Sequence, residues 1–571
     1  MGGMGGSTAN GSPFIIGEFH HYLALGLIWV LGLAVLVTFV TSWWRQRSET
    51  SLAEMPARTW LRLSFGALWI FDGILQLQAG MPLGLANQVF APTADGNPSF
   101  VRSLVSIAVR VWNEHPLALA PATVWIQIGI GLLLWSSRGM ASRVGGALSV
   151  GWGAMVWAGG NGFGGILGAH SSFLFGWPGA VFFYMVAGVL LAVPTRIDES
   201  LISRWSTRVG AVTLALGAVW QAIPSNNFWA SGSANALWSM SNDMSGAAQP
   251  GFLRSLVLAV GRMGYHGGAV INVAVIAWML VTSVGLWRHS HRKSTWPLVS
   301  AGVGALMIWV TVQDLGFFGG VGTDPNSMLP FTFLVLAGLR WRGVERPFAS
   351  SRWGQIGASV SAFGVAMVVV GSVPMVSASL FSPVETTQFQ ALNANVSVLA
   401  PRIAAPTLPF SLSDQYGRAT PIVQRGHVTV VTFLDPTCWT DCPALGRQLE
   451  SLDARLGHPQ SVTYVAIAAN RFHYSVADER AFIARYGLGV LGPRFHFLTG
   501  TLSQLETTWS AYGIEVDMKP TDKMSIHTDQ VDVIDATGRV AVIVPDDPPS
   551  GWSGQESAVT VLAGAVRHAQ Q

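Results

Sequence analysis

"HVTVVTFLDPTCWTDCPALGRQLESLDARLG", His427 to Gly457, places a strand, two cysteines and a helix in immediate succession. "HVTVVTFL" is rich in β-branched residues and reads as a buried strand, while "PALGRQLESLDARLG" has the apolar spacing of a helix. Between them stand Cys438 and Cys442, the only two cysteines in 571 residues. Two cysteines cannot build a disulfide framework. They make one redox pair or two soft metal ligands. Cys442 stands where the helix begins, and exposed N–H groups and the helix dipole there favour a thiolate. The Cys-x-x-x-Cys spacing lets both sulfurs face one point across the first turn. Two unrelated buried cysteines are the plainer reading. It is the weaker one, because strand end, turn and helix start are where reactive thiols sit.

Downstream, "SVTYVAIAA" (461–469) reads as a second buried strand and "LSQLETTWSAYG" (502–513) as a helix. "QVDVIDATGRVAVIV" (530–544) reads as a hairpin turning at Ala536-Thr537-Gly538. Strands alternating with helices predict an α/β layer, and a thioredoxin-like layer is one such arrangement. His527 stands in "MSIHTDQVDVID", just before a strand that neighbours the Cys438 strand in such a layer. Two thiolates and one imidazole form a three-coordinate soft site suited to copper. A histidine taken alone is more often structural, and Met524 is more often a packing residue than an extra soft ligand.

Upstream the composition changes. Half of the whole chain is hydrophobic and only 11% is charged, with 24 Trp and 64 Gly, whereas soluble domains carry about 25% charged residues. The start "MGGMGGSTANGSPFIIGEFHHY" has no Lys or Arg before the first apolar run, unlike a secretory signal. The run from Tyr22 to Trp44 exceeds the ~20 residues a bilayer needs. Further runs begin near Trp60, Ala120, Val144, Trp177, Arg208, Gly267, Pro297, Pro330 and Ile356, which predicts about ten transmembrane helices. The net charge of +3 says little, but its distribution says more. Arg45, Arg47 and Arg58 follow the first run. Arg138 and Arg143, then Arg196, Arg204 and Arg208, then Arg288, Arg292 and Lys293, then Arg340, Arg342, Arg346 and Arg352 fall in alternate loops on the same side. The positive-inside rule then places the N-terminus and the C-terminal domain outside the cytoplasm of a multi-pass cell-membrane protein.

The membrane part repeats. "SFVRSLVSIAVRVW" from Ser99 matches "GFLRSLVLAVGRMG" from Gly251 at an offset of 152 residues, which also pairs Trp157 with Trp309 and Pro178 with Pro330. A slightly shorter offset pairs Trp60 with Trp205 and Gln76 with Gln221. Two copies of about four helices, an even number, run parallel to each other. The expected organisation is an N-terminal tail and first span (1–59), membrane repeats (60–200 and 201–350), a last span (351–382), a linker (383–401) and the α/β domain (402–571).

Within the membrane part, Asp72 lies deep in its span, where a carboxylate is costly unless paired or hydrated, and Gln76 follows one turn later on the same face. A proton relay, a quinone contact and an ion site are open readings, beside an internal hydrogen bond to a neighbouring helix. Arg102, Arg110, Arg254 and Arg262 lie on the outer side, against the charge trend. They suit an anionic substrate or lipid head group, and snorkelling interfacial arginines are the plainer reading. Glu18, His20, His21, Glu114, His115, His170 and His266 lie in or near outer loops. A metal relay toward Cys438 is the sharp reading for them; scattered loop residues without function are the ordinary one.

From about Arg402 onward the chain resembles the Sco/SenC family of membrane-anchored, thioredoxin-fold copper proteins. "LSDQYGR" precedes the first strand, "TFLDPTCWTDCP" corresponds to the family's T-x-C-P-x-x-C-P, "FHFLTGT" follows, and a His stands shortly before the Asp of "VID". The resemblance implies Cys438, Cys442 and His527 as copper ligands, and a role in building the copper centre of cytochrome oxidase or reducing its cysteines. It departs from the family at Trp439, where proline is usual, and at Ile526, where Asp is usual. The missing carboxylate predicts a looser His527 ring. "WLRLSFGALWIFDGILQLQAGMP", from Trp60, resembles the first helix of the DoxX/DoxD family of small four-helix membrane proteins. Some of that family form the membrane subunit of a thiosulfate:quinone oxidoreductase.

There is no G-x-x-x-x-G-K-[ST] loop for ATP, no base–nucleophile pair for hydrolysis in the C-terminal domain, and no basic cluster with interleaved aromatics for nucleic acid. The leading expectation is a membrane-anchored copper or thiol-redox protein of respiratory assembly, partnered by membrane lipid, an oxidase subunit and a thiol reductant. A quinone-linked electron-transfer subunit, with Asp72, Gln76, Arg102 and Arg254 at the cofactor, is the second class. A structural subunit docking the redox domain on a larger complex is the third.

Overall fold

The computed structural model describes residues 13–45, 56–136, 140–168, 171–194, 199–245, 249–292, 294–318, 321–339, 352–381, 396–438, 442–518, 525–528, 530–545 and 555–571. The helices of the membrane part are α1 (Pro13–Arg45), α2 (Pro56–Leu75), α3 (Ser99–Glu114), α4 (Pro116–Ser136), α5 (Met140–Met155), α6 (Ala180–Ala192), α7 (Glu199–Ala222), α8 (Ala236–Ser245), α9 (Gly251–Arg292), α10 (Trp296–Thr311), α11 (Met328–Leu336) and α12 (Arg352–Phe381). Among the described residues four segments are long and apolar enough to cross a membrane: Ile15–Thr38, Pro116–Trp135, Gly251–His289 and Ser359–Ala378. Ala180–Ala192 and Trp296–Thr311 are shorter apolar helices. This is fewer than the ten spans expected. The remaining runs do form helices, but α2 carries Arg58, Arg62 and Asp72, α7 carries Glu199, Arg204 and Arg208, and α5 and α11 have only 16 and 9 residues.

Close helix contacts rest on glycine pairs. Gly146 of α5 faces Gly188 of α6, and a methyl on either would lie 2.7 Å from the other's carbonyl oxygen. Gly129 of α4 and Gly364 of α12 meet in the same way, at 2.8 and 2.9 Å. Small residues let backbones approach where lipid offers no hydrophobic drive to associate. Ile28, Trp29 and Val35 on α1 and Val270 on α9 are exposed apolar side chains.

The two segments at the 152-residue offset share backbone features. The break between α3 and α4 falls at His115 (φ −138°, ψ 45°), and α9 is kinked at Gly267 (φ −130°, ψ 29°). Gly162, Phe163 and Gly164 all have positive φ, as do Asp314, Leu315 and Gly316. Trp157 Nε1 donates to the Pro178 carbonyl, and Trp309 Nε1 to those of Leu315 and Pro325. Phe100 and Arg102 are exposed while Val101 and Val105 are buried; Phe252, Arg254, Leu253 and Val257 follow the same phase. α2 packs on α4 as α7 packs on α9, and α5 on α6 as α10 on α11.

The C-terminal domain is a six-stranded mixed sheet. Its strands are β1 (Ser397–Ala404), β4 (Val428–Leu434), β5 (Val462–Ala468), β6 (Phe495–Leu498), β9 (Gln530–Ile534) and β10 (Arg539–Pro545), in the order β1-β10-β9-β4-β5-β6. Two small hairpins flank it, β2 (Leu412–Ser413) with β3 (Ala419–Thr420), and β7 (Val516–Met518) with β8 (Ser525–His527). The helices are α13 (Cys442–Arg455), α14 (Val476–Tyr486), α15 (Leu502–Tyr512) and α16 (Gln555–Gln570). β4 and β5 pair in parallel through the α13 crossover, and every residue of both strands is buried, as a sheet covered on both faces requires. α16 packs on α13 and over β4, β9 and β10. Tyr512 of α15 meets Phe433 of β4. α15 starts on a Thr501/Gln504 capping box and stops at Gly513 in the left-handed region, φ 74°.

The expected 383–401 linker needs correction at its end. Residues 397–404 form β1, an edge strand paired antiparallel with β10, so the domain includes residues ahead of 402. Pro401 and the alanines read as linker, but an edge strand tolerates proline, whose missing N–H faces away from the ladder. The register shifts between Val398 and Ile403, around that proline. The rest of the expected linker lies outside the described residues.

Candidate functional site

The site forms where β4 ends. Asp435 follows the last strand residue and is wholly buried. Its Oδ1 accepts from the Thr437 amide (2.7 Å), the Thr437 hydroxyl (2.8 Å) and Asn470 Nδ2 (2.9 Å). This Asx turn folds the chain back, and the Cys438 amide donates to the Asp435 carbonyl at 3.1 Å. The Tyr486 hydroxyl of α14 donates to the Cys438 carbonyl at 3.3 Å. Cys442 then opens α13, as its place before "PALGRQLE" predicts.

Cys438 and Cys442 are both buried and both thiols. Cys442 Sγ lies 3.4 Å from the Asp435 amide nitrogen, which donates to it, and 3.5 Å from His527 Nε2. On the other side of the ring, His527 Nδ1 lies 3.2 Å from the Thr528 carbonyl oxygen. An N–H at Nδ1 donating to that carbonyl leaves Nε2 with its lone pair facing the sulfur. The ring expected to be loose for want of a carboxylate at position 526 thus has a backbone carbonyl beside it. Trp439, Met524 and the Ile526 side chain lie outside the described residues.

His527 comes to the sulfur through strand order. β9 pairs antiparallel with β4, Thr432 opposite Val531, and β8 ends just before β9. A second tie is the Ser525 amide, which donates to Asp435 Oδ2 at 2.8 Å. Asp435, Asn470, Tyr486 and Ser525 were not singled out in the sequence. The signal available was an Asp-Pro pair directly after a buried strand, which marks an Asx turn.

Two thiols and one imidazole match a soft monovalent metal in donor type. Cys442 and His527 already meet. Among the described residues, however, no three His, Cys, Asp or Glu side chains stand close enough together to hold one ion.

Elsewhere, Asp72 and Gln76 do come together, on the wall of a cavity of about 880 Å³ in the membrane part. The Thr123 hydroxyl lies 3.5 Å from Gln76 Oε1. Arg102 and Arg254 are exposed and do not line that cavity; Arg102 donates to the Asn97 carbonyl at 3.2 Å.

No protein-family model matches the chain, and no curated protein sequence matches it. Over less than a third of its length the chain is similar to solved Sco proteins. Bradyrhizobium japonicum ScoI with copper bound is 21% identical, the match covering 29% of this chain and 99% of that one, with a TM-score of 0.23. Yeast Sco1 with copper bound is 19% identical over 28% of this chain and 89% of its own, TM-score 0.24. BsSco, described as a member of the Sco family of cytochrome c oxidase assembly proteins, is 18% identical over 29% and 96%, TM-score 0.24.

Proposed function

We propose that this protein is a membrane-anchored copper-binding and thiol–disulfide redox protein that serves the assembly of a respiratory copper centre such as that of cytochrome c oxidase. The observation that carries this reading is the 3.5 Å contact of Cys442 Sγ with His527 Nε2, with the second thiol one turn away at Cys438. Copper is cargo in this reading, held by Cys438, Cys442 and His527. Thiolates suit Cu(I) and the imidazole suits either oxidation state.

The same residues support electron transfer. The Asp435 amide and the first turn of α13 favour a thiolate at Cys442. That thiolate attacks a partner's disulfide, forming a mixed disulfide and releasing one partner thiolate. Cys438, deprotonated, then attacks Cys442 Sγ and releases the second. The partner's disulfide gains two electrons and becomes a dithiol, the Cys438–Cys442 pair becomes a disulfide, and a thiol reductant restores it by the reverse exchange.

The membrane part would anchor this domain on the extracytoplasmic face and dock it, with lipid, against an oxidase subunit. Two parallel DoxX/DoxD-like repeats are supported by the shared kink at His115 and Gly267 and by the matching positive-φ triplets. A reporter fused after Gln571 is expected to be active only outside the cytoplasm.

The test is a Cu(I) titration of the reduced full-length chain against a competing chelator. One copper per chain is expected, abolished by Cys438→Ser or Cys442→Ser and weakened by His527→Ala. A chain that binds no copper yet cycles its disulfide would replace the copper reading with a dedicated thiol oxidoreductase.

A further inference from the structure

We propose that the cavity around Asp72 binds a small organic cation that also carries a hydrogen-bond acceptor. Its walls come from α2, α3, α4 and α5 and from the loops at 91–97, 160–168 and 321–326. Its charged lining residues, among the described residues, are three carboxylates, Asp72, Asp95 and Asp324, with no Lys or Arg. Asp95 is exposed; Asp72 is buried.

Buried acceptors point the same way. Asp72 Oδ1, Asn97 Oδ1 and Gln127 Oε1 all line the cavity, and none has a hydrogen-bond partner among the described residues. Their residues are 4%, 6% and 7% exposed, so bulk water does not supply the missing donors. The Tyr184 hydroxyl stands beside the Asp72 carboxylate, but among the described residues no cation lines the cavity. A buried carboxylate without counter-charge is costly, and a cation bearing N–H groups supplies the charge and further donors. Four indole rings, of Trp69, Trp112, Trp152 and Trp177, line the cavity. Indole is the best aromatic partner for a cation. Trp152 Nε1 and Trp177 Nε1 also lack partners, which calls for an acceptor on the ligand.

Size separates an organic cation from an inorganic one. At about 880 Å³ the cavity lies in the ordinary range of small-molecule sites, ~300–1,000 Å³. A bare metal ion would leave nearly all of it to water, each molecule taking ~30 Å³. The positions 145 residues onward serve as an internal comparison. Gly217 stands where Asp72 would be, and a methyl there would lie 2.9 Å from Phe173 Cβ. Gln221, matching Gln76, donates to Asn272 Oδ1 at 2.9 Å and faces the Ser172 hydroxyl at 3.4 Å. There the space is filled and the polar groups satisfy one another.

The test uses the full-length protein in lipid nanodiscs and calorimetric titration with tyramine and with tyrosol, which replaces the ammonium by a hydroxyl and keeps the phenol. Tyramine is expected to bind at least about tenfold tighter than tyrosol. Asp72→Asn is expected to erase that preference, and Asp324→Asn to reduce it. Equal binding of the two compounds, or binding of neither, overturns the proposal. So does displacement of tyramine by sodium at comparable concentration, which would assign the cavity to an inorganic ion. The wild-type comparison decides even if Asp72→Asn does not fold.

Discussion

The carboxylate of Asp435 accepts the backbone N–H of Ser525 across 2.8 Å, joining the turn that carries the cysteines to the strand that carries His527. Through Oδ1 the same group holds Thr437 and Asn470. One buried side chain thereby sets the sulfur-to-imidazole distance. Asp435→Ala is expected to cost about 3 kcal/mol, because several buried donors lose their acceptor together. Asp435→Asn keeps one acceptor oxygen and should cost less while still loosening His527. Urea unfolding gives the energies, and the imidazole resonances report the ring.

The two thiols are expected to differ. Cys442 Sγ accepts the Asp435 amide at the first turn of α13, so it should carry most of the thiolate character of the reduced protein. Cys442→Ser should remove most of the thiolate ultraviolet absorbance at neutral pH, and Cys438→Ser only a minor part. Equal losses would show that the helix start and the Asp435 amide do not single out Cys442.

Asp532 sits wholly buried on β9, and burial pushes its carboxyl up to about 7, against a hydrogen bond from Gln530. The folded state therefore holds a proton that the unfolded chain releases near pH ~4. Stability contributed by this group is full at low pH and falls by about 1.4 kcal/mol per pH unit as pH rises toward 7, then levels off. Asp532→Asn should flatten that slope in unfolding midpoints measured across the window.

Asp453 behaves in the opposite sense. Burial alone would raise its carboxyl, but hydrogen bonds from Arg494, His458 and Tyr464 outweigh burial and hold it below the usual range. Its contribution is present above the unfolded carboxylate range and is lost as pH falls through the lowered folded value. Asp453→Asn should destabilise the domain at neutral pH by about 1–3 kcal/mol, with the difference shrinking in acid.

Adjacent glycines in the membrane part separate strain from collision. Gly164 and Gly165 have φ of 63° and 73°. A methyl at Gly165 meets nothing within 4 Å, whereas one at Gly164 would lie 1.8 Å from the Pro178 carbonyl oxygen. Gly165→Ala should cost about 1–2 kcal/mol of backbone strain alone. Gly164→Ala should cost well beyond that, read as loss of the monodisperse peak in detergent or a much lower thermal transition.

Much of the C-terminal domain was legible in local pattern. The buried runs at β4 and β5, the helix after Cys442 and the hairpin at Gly538 all announce themselves in residue spacing. β1 did not, because an edge strand tolerates the proline and alanines that otherwise signal a linker. Among the described residues, fewer apolar helices reach spanning length than the ten runs of the sequence, for a related reason. Hydropathy registers greasy residues, but helices buried inside a bundle can be short or carry Arg62 and Asp72, since protein rather than lipid surrounds them.

Sequence alone determined the chemistry available: two thiols one turn apart at a strand-to-helix junction, one histidine before a later strand, and an acid in an apolar helix. Residue type and local periodicity are properties of the chain itself and need no partner to be read. Tertiary structure alone decided which groups meet. His527 reaches Cys442 because β9 inserts beside β4, Asp435 binds the two segments across 90 residues of chain, and Asp72 faces an open cavity where Gly217 faces Phe173. Such contacts depend on strand order and helix packing, which arise from the summed burial of the whole core and are written in no single stretch of it.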